Sequence, residues 1–366
     1  LSKAFSAGSI QKGKLRIKGD PAKVPFPKTT DGEFSLNLPV TGVTYSPVPT
    51  LSPSQGVWPA LSNINGVIAM QNSLFTVDIS QGSFKQVALS QFHGEIPNVS
   101  AKQLELSVNG KAQGDVTQML EYVFASPVGK NQAGLEKNLR ATGNTSLDLG
   151  LKIPLSGNTD TKVDIKLDLP GNKLQWSDLP PLENLKGKIR ITESNPEFDN
   201  VSANFLGGNL KIATAPSSGG NQNYTVAGDI SVSFVKNYFI NTLKKDSLAA
   251  LEAISGTAKY DGLMSFSKSG SETNLKFDLR DFASTAPAPA QKTKGTPLLG
   301  QITIKTLPTP KGGAASVSWS GKLGDLYASQ GELNNEGEIR YGLGVGAPAT
   351  LPQLSLIHIS EPTRPY

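Results

Sequence analysis

The residues able to do chemistry in this chain are few, and their scarcity is the first result. There are two histidines and no cysteine among 366 residues. Without cysteine there is no thiolate nucleophile, no thiolate metal site and no disulfide frame. Without paired histidines there is no zinc-type ligand set, so no metal site is expected. One histidine lies in the C-terminal segment, which leaves His93 in QFHGEIP as the only general-base candidate. No motif surrounds it, and it reads as a strand-end or loop histidine. A hydrolase would need a clustered nucleophile and base, and none is offered. Asp164 and Asp168 fall on one face of a strand, but Lys162 and Lys166 alternate with them, which makes a solvated charge ladder and not a tuned carboxylate pair. The SxxK matches Ser9 to Lys12 and Ser265 to Lys268 lack the companion motifs of a serine acyl-enzyme. GLGVGAP at 342–348 is not a phosphate-binding glycine pattern. The chain is therefore expected to be non-enzymatic, with no catalytic residue and no cofactor.

Composition narrows the class further. Lysine and arginine number 35 against 30 acidic residues, a net charge of +5 with no basic cluster, so nucleic acid is not an expected partner. Trp58, Trp176 and Trp319 are dispersed and read as sheet anchors, not as a base-stacking platform. The 37 glycines and 25 prolines favour short strands joined by turns over long helices. No stretch approaches the roughly 20 apolar residues of a membrane-spanning helix.

Period-two alternation then sets the secondary structure, because successive side chains of a strand point to opposite faces. In SLDLGLKIPL, Leu147, Leu149, Leu151 and Ile153 share one face, with Asp148, Gly150 and Lys152 on the other. KVDIKLDL repeats the design with Val163, Ile165, Leu167 and Leu169. The same pattern recurs at Leu104, Leu106 and Val108; Ile189 and Ile191; Leu210 and Ile212; Leu275, Phe277 and Leu279; and Ile302 and Ile304. Turn signals lie close by at Asn109-Gly110, at PGN (170–172) and at GGN (207–209). The expected fold is mainly β, an antiparallel sheet with one apolar and one polar face. Two helical regions are expected. One is capped by Asp115, carries Val116, Met119, Leu120 and Val123, and stops at Pro127; the other runs from about Val235 to Ile254.

Weak internal repetition overlies this texture. WPALSNINGVIAM (58–70) and LPPLENLKGKIRI (179–191) share Pro59/Pro180, Leu61/Leu182, Asn63/Asn184, Ile64/Leu185, Gly66/Gly187 and Ile68/Ile189. LEAISGTA echoes the spacing with Leu251, Ile254, Gly256 and Ala258. Repeat units are accordingly expected near 58–90, 179–213 and 251–280, each adding strands to a growing sheet. STAPAPAQKTKGTP (284–297) reads as a Pro/Ala-rich loop or linker and PSSGGNQN (216–223) as a hairpin loop. Residues 354–366, LSLIHISEPTRPY, abandon the pattern and resemble a translated sequencing adapter, so residues 1–353 are taken as an internal fragment of a longer protein.

A sheet with one apolar side must bury it against a second sheet, against its own curled continuation or against something that is not protein. Periodicity leaves these open. A set of motifs in fixed order does not: VPFPKTTDGEFS (24–35), WPxL (58–61), Ser126-Pro127, LKIPL (151–155), LPPLxNLxGxI from Leu179 and FLGG (205–208). Their succession resembles the YhdP-type family of AsmA-like, TamB-related envelope proteins of Gram-negative bacteria. The resemblance implies a long antiparallel sheet curled into a groove, standing in the periplasm and anchored in the inner membrane by a segment outside this chain. It implies a passive conduit for phospholipid between inner and outer membranes, with acyl chains and membrane components at either end as partners. The alternating aliphatic residues named above become the groove candidates. A scaffolding envelope β protein that works through protein contacts alone is the alternative.

Overall fold

The computed structural model describes residues 5–28, 30–46, 57–126, 133–156, 160–177, 179–192, 196–218, 220–240, 252–307, 316–334, 338–349 and 351. The chain divides into two compact units, residues 1–205 with 211–213, and residues 206–210 with 214–366. Both are mainly β, every paired strand is antiparallel, and helices are few and short, as the alternation predicts.

The first unit contains β1 (Phe5–Ile10), β2 (Lys14–Gly19), β3 (Gly32–Tyr45), β4 (Leu61–Gln71), β5 (Leu74–Phe84), β6 (Val87–Ile96) and β7 (Glu105–Asp115). It continues through α1 (Val116–Ala125), α2 (Ala133–Asn138), β8 (Leu139–Thr142), β9 (Asn144–Pro154), β10 (Lys162–Trp176), β11 (Leu182–Thr192) and β12 (Pro196–Phe205). Strands β1 and β2 both pair with β3, and the ladder then proceeds through β4, β5, β6, β7, β9, β10, β11 and β12, with β8 beside the C-terminal half of β10. After β13 (Gly208–Ser218) come β14 (Asn221–Ser231), α3 (Val232–Phe239), β15 (Ile254–Ser267), β16 (Gly270–Asp278), β17 (Phe282–Ser284), β18 (Leu299–Leu307), β19 (Ser316–Leu323), β20 (Tyr327–Leu333) and β21 (Ile339–Val345). In the second unit the ladder runs β14, β15, β16, β18, β19, β20, β21, with β17 on the first residues of β15.

Local chemistry explains the elements. The Asp115 carboxylate accepts from the Thr117 N–H at 2.6 Å, capping α1 as its position predicts and holding that carboxyl below the usual range. The second helical region begins earlier than expected: α3 starts at Val232 and ends at Phe239, residues 241–251 lie outside the described residues, and Ile254 opens β15 as a strand residue. Two of the turn signals lie inside strands. Asn109-Gly110 is in the middle of β7, and PGN at 170–172 is a bulge in β10, where buried Asn172 donates to the carbonyls of Thr142 and Asn144. Segment 284–297 is tied down as a loop: Ser284 and Lys292 bridge, and the Lys292 ammonium donates to the carbonyls of Phe282, Thr293 and Arg280.

The hydrophobic clusters of the first unit lie along one margin of its ladder, while fully buried Phe26 packs over Gly19 and Gly32 at the other end of β2 and β3. Register breaks interrupt β3 after Val40, β4 before Gly66, β10 after Pro170 and β11 before Lys188. Bulges bend a strand and sharpen its twist. Past these breaks, Leu174 and Leu182 pack on buried Leu169, Leu185, Val201 and Ala203, and Tyr45 and Leu61 pack on buried Val40, Val43 and Ile64. Between them Met119 of α1 closes a third cluster over Val87 and Ala112. The segments matched as repeats build this margin alike. Asn63 and Asn184 are both left-handed (φ 53° and 52°), and Ile64 and Leu185 are both buried. A Cβ on Gly66, Gly187 or Gly256 would lie within 2.7 Å of a backbone carbonyl oxygen, that of Asp78, Asn200 or Asp281.

Substituting this margin should therefore cost more than substituting the face beside it. Leu185→Ala is expected to destabilise by about 2–5 kcal/mol and Gly187→Ala by more than about 1 kcal/mol, against clearly less for half-buried Leu149→Ala, in denaturant unfolding of the protein. Equal costs at Leu185 and Leu149 would contradict the packed cluster around Leu185.

Candidate functional site: the apolar face

Away from the packed margin, cross-strand register assembles the alternating residues into rows that run perpendicular to the strands. In the first unit Leu38, Ile68, Val77, Gly94, Val108, Leu151 and Val163 stand opposite one another across seven strands, β3 to β7, β9 and β10. Beside this row run Leu36, Met70, Phe75 and Ile96, then the pair Leu106 and Ile153, and on the other flank Gly110, Leu149, Ile165 and Ile191. In the second unit Val226, Gly262, Leu275, Ile302 and Gly321 form one row, and Gly228, Tyr260, Phe277, Gly300, Leu323 and Tyr327 another. A third contains Met264, Thr273, Ile304, Trp319 and Gly331. No charged residue stands in any of them. The intervening rows hold the charges, as in Lys111, Asp148, Lys166, Arg190 and Glu197.

The aliphatic residues singled out from the sequence occupy two different environments. Leu169 and Leu210 are buried, at 6% and 7% exposure, and Leu169 belongs to the packed margin. Leu147 and Ile189 flank that margin, packed on its clusters. The remainder are half-buried: Leu104, Leu106, Val108, Leu149, Leu151, Ile153, Val163, Ile165, Leu167, Ile191, Ile212, Leu275, Phe277, Leu279, Ile302 and Ile304. Leu104 and Leu279 lie one residue outside β7 and β16. The hydrophobic clusters of the first unit join ladder neighbours or α1 and the strands beneath it, and Trp58, ahead of β4, packs its ring on Tyr122 of α1; in the second unit Tyr224 with Phe266 and Tyr260 with Phe277 are ring contacts between strands. Glycine's part in the face, at Gly110 and Gly331 above all, is invisible in a hydrophobicity pattern; the signal was a glycine placed in phase with the aliphatics.

Among the described residues the polar face contains ion pairs. Arg190 donates to both Asp164 oxygens, at 2.8 and 3.1 Å, which lowers the Asp164 pKa and leaves Asp168 outside the pair. His93 lies between two carboxylates, with Nδ1 at 2.7 Å from Asp78 and Nε2 at 3.5 Å from Glu95. A hydrolytic triad needs a hydroxyl at the second nitrogen, and here a carboxylate stands there. Among the described residues no group of three His, Cys, Asp or Glu could hold a metal ion, and no helix is long and apolar enough to cross a membrane. The hydrogen bond to Asp78 raises the His93 pKa above its ordinary value of 6.5. The stabilisation from this contact is then complete below pH 6.5 and is lost as pH rises through the raised value. In an NMR titration, the His93 midpoint should lie above 6.5 and fall in Asp78→Asn. A midpoint at 6.5 that ignores Asp78→Asn would contradict the pairing.

Comparison with known proteins adds one finding to this geometry. No curated protein and no solved structure matches the chain. The family model described as YhdP protein matches residues 1–363. A match of that extent, over a chain whose alternating strands build the expected open antiparallel sheet, means that the chain belongs to the YhdP family, the AsmA-like envelope family its ordered motifs resemble.

Proposed function

We propose that this chain is a section of a passive, non-enzymatic conduit that carries phospholipid between the inner and outer membranes and so supports the outer-membrane permeability barrier. The observation that carries the reading is the set of uncharged rows that cross strand after strand on one face. Neighbouring strands are about 4.8 Å apart, so the seven-strand row is about 29 Å long, against about 15 Å of hydrocarbon in one bilayer leaflet. An acyl chain lying along such a row always has an apolar strand ahead of it. Each methylene kept from water is worth about 0.8 kcal/mol, and a chain sliding along the row keeps that contact at every step, so the path has no deep well and no high barrier. A charge on the row would break it, and the charges are on the other face. Headgroups remain in water. Family membership supports the same reading, with the protein working in the periplasm from an inner-membrane anchor outside this chain.

The test is a photocrosslinking residue placed in the full-length protein in cells. At Leu149, Ile165 or Phe277 it should form phospholipid adducts, and at Asp148, Lys166 or Lys276 it should form few or none. Adducts shared equally between the two sets would overturn the conduit. Adducts to protein alone at Leu149, Ile165 and Phe277 would favour the scaffolding role.

A further inference from the structure

Glycines recur in the apolar rows, and two of them share a geometry that ordinary strand packing does not require. A Cβ built on Gly110 of β7 would lie 2.4 Å from Cγ of Phe92 on β6, and a Cβ on Gly331 of β20 would lie 1.9 Å from Cζ2 of Trp319 on β19. Both distances are far below any real carbon contact, so each ring lies flat over the glycine of the next strand, where a side chain would otherwise stand. Phe92 and Trp319 are both half-buried in this posture. Gly94 is different: a Cβ there would sit 3.8 Å from Leu106 and 3.9 Å from Val77, in ordinary contact, with no ring over it. Covering a strand glycine with an aromatic ring from the neighbouring strand satisfies the exposed backbone with apolar contact. It also keeps the largest side chains of the face from projecting away from the sheet.

We infer that Gly110 and Gly331 set the clearance of the lipid path, by giving Phe92 and Trp319 a recess to lie in. The inference rests on the conduit reading and adds to it the residues that decide whether hydrocarbon fits above the sheet. With alanine at either position the ring must leave its recess for another staggered rotamer, which lifts it into the space the acyl chain would occupy. Lifting it displaces roughly two methylenes from apolar contact, equivalent to about tenfold in occupancy.

The experiment uses the full-length protein with the photocrosslinker at Leu149, which stands next to Gly110 in its row. Gly110→Ala should lower the phospholipid adduct at Leu149 about tenfold while leaving the adduct at Phe277, in the other unit, at its original level. Gly150→Ala, on the polar face of β9, where the nearest atoms to a Cβ are 3.4 Å away, should change neither. Adding Phe92→Ala to Gly110→Ala removes the ring and should restore the adduct, which separates clearance from misfolding. An unchanged adduct in Gly110→Ala, or a loss that Phe92→Ala does not repair, would overturn the inference and leave the conduit standing. Absence of lipid adduct at Leu149 in the unsubstituted protein would overturn the conduit, and this inference with it.

Discussion

Every feature of this protein depends on one constraint: a strand sends successive side chains to opposite faces, and here one of those faces is apolar along its whole width. Antiparallel register carries the consequence from strand to strand. Once Leu149 faces the apolar side, Ile165 and Ile191 opposite it must as well, and Asp148 and Lys166 must face water. A slip of one residue would exchange the two sets, so the alternation that specifies the fold also specifies the separation of hydrocarbon from charge.

The first unit buries only part of that face, in clusters along one margin and beneath Phe26 at the other end of β2 and β3. Bulges in β3, β4, β10 and β11 let the strand ends pack back on Val40, Ile64, Leu169 and Leu185, and α1 covers the interval between them. A filled core of this kind gives stability without occupying the remaining rows. The half-buried residues from Val108 to Val163 and from Leu149 to Ile191 are thereby supported from one side. In the proposed conduit, stability and carriage fall to different stretches of the same strands, which lets a core substitution at Leu185 and a path substitution at Leu149 have separable effects.

Much of this was legible in the sequence because it depends on period and order. The alternating runs located β9, β10 and β16, Asp115 located the start of α1, and the shared Asn, aliphatic and Gly positions of 58–70 and 179–191 recur as the same left-handed and buried residues in β4 and β11. What misled was local turn chemistry read without its neighbours. Asn109-Gly110 has the composition of a hairpin turn, yet Gly110 is a glycine because Phe92 of the adjacent strand needs the room. PGN at 170–172 is likewise a bulge, fixed by Asn172 reaching the Thr142 and Asn144 carbonyls some 30 residues away in sequence. In each case the deciding partner is distant in sequence, where pattern reading has no reach.

The division of residues also separates what the rows do from what the polar face does. His93, Asp78 and Glu95, and Asp164 with Arg190 and Glu197, satisfy one another across strands and are exposed to solvent, where such pairs contribute little to stability. Their value is in keeping charge off the other side. The most direct measurement of whether the apolar rows hold lipid is native mass spectrometry, with lipid extraction, of this region purified gently from cells. Phospholipid bound in the rows should survive purification and appear as mass increments of intact lipids. A region that is folded, monodisperse and free of lipid under those conditions would contradict an apolar face kept open for hydrocarbon.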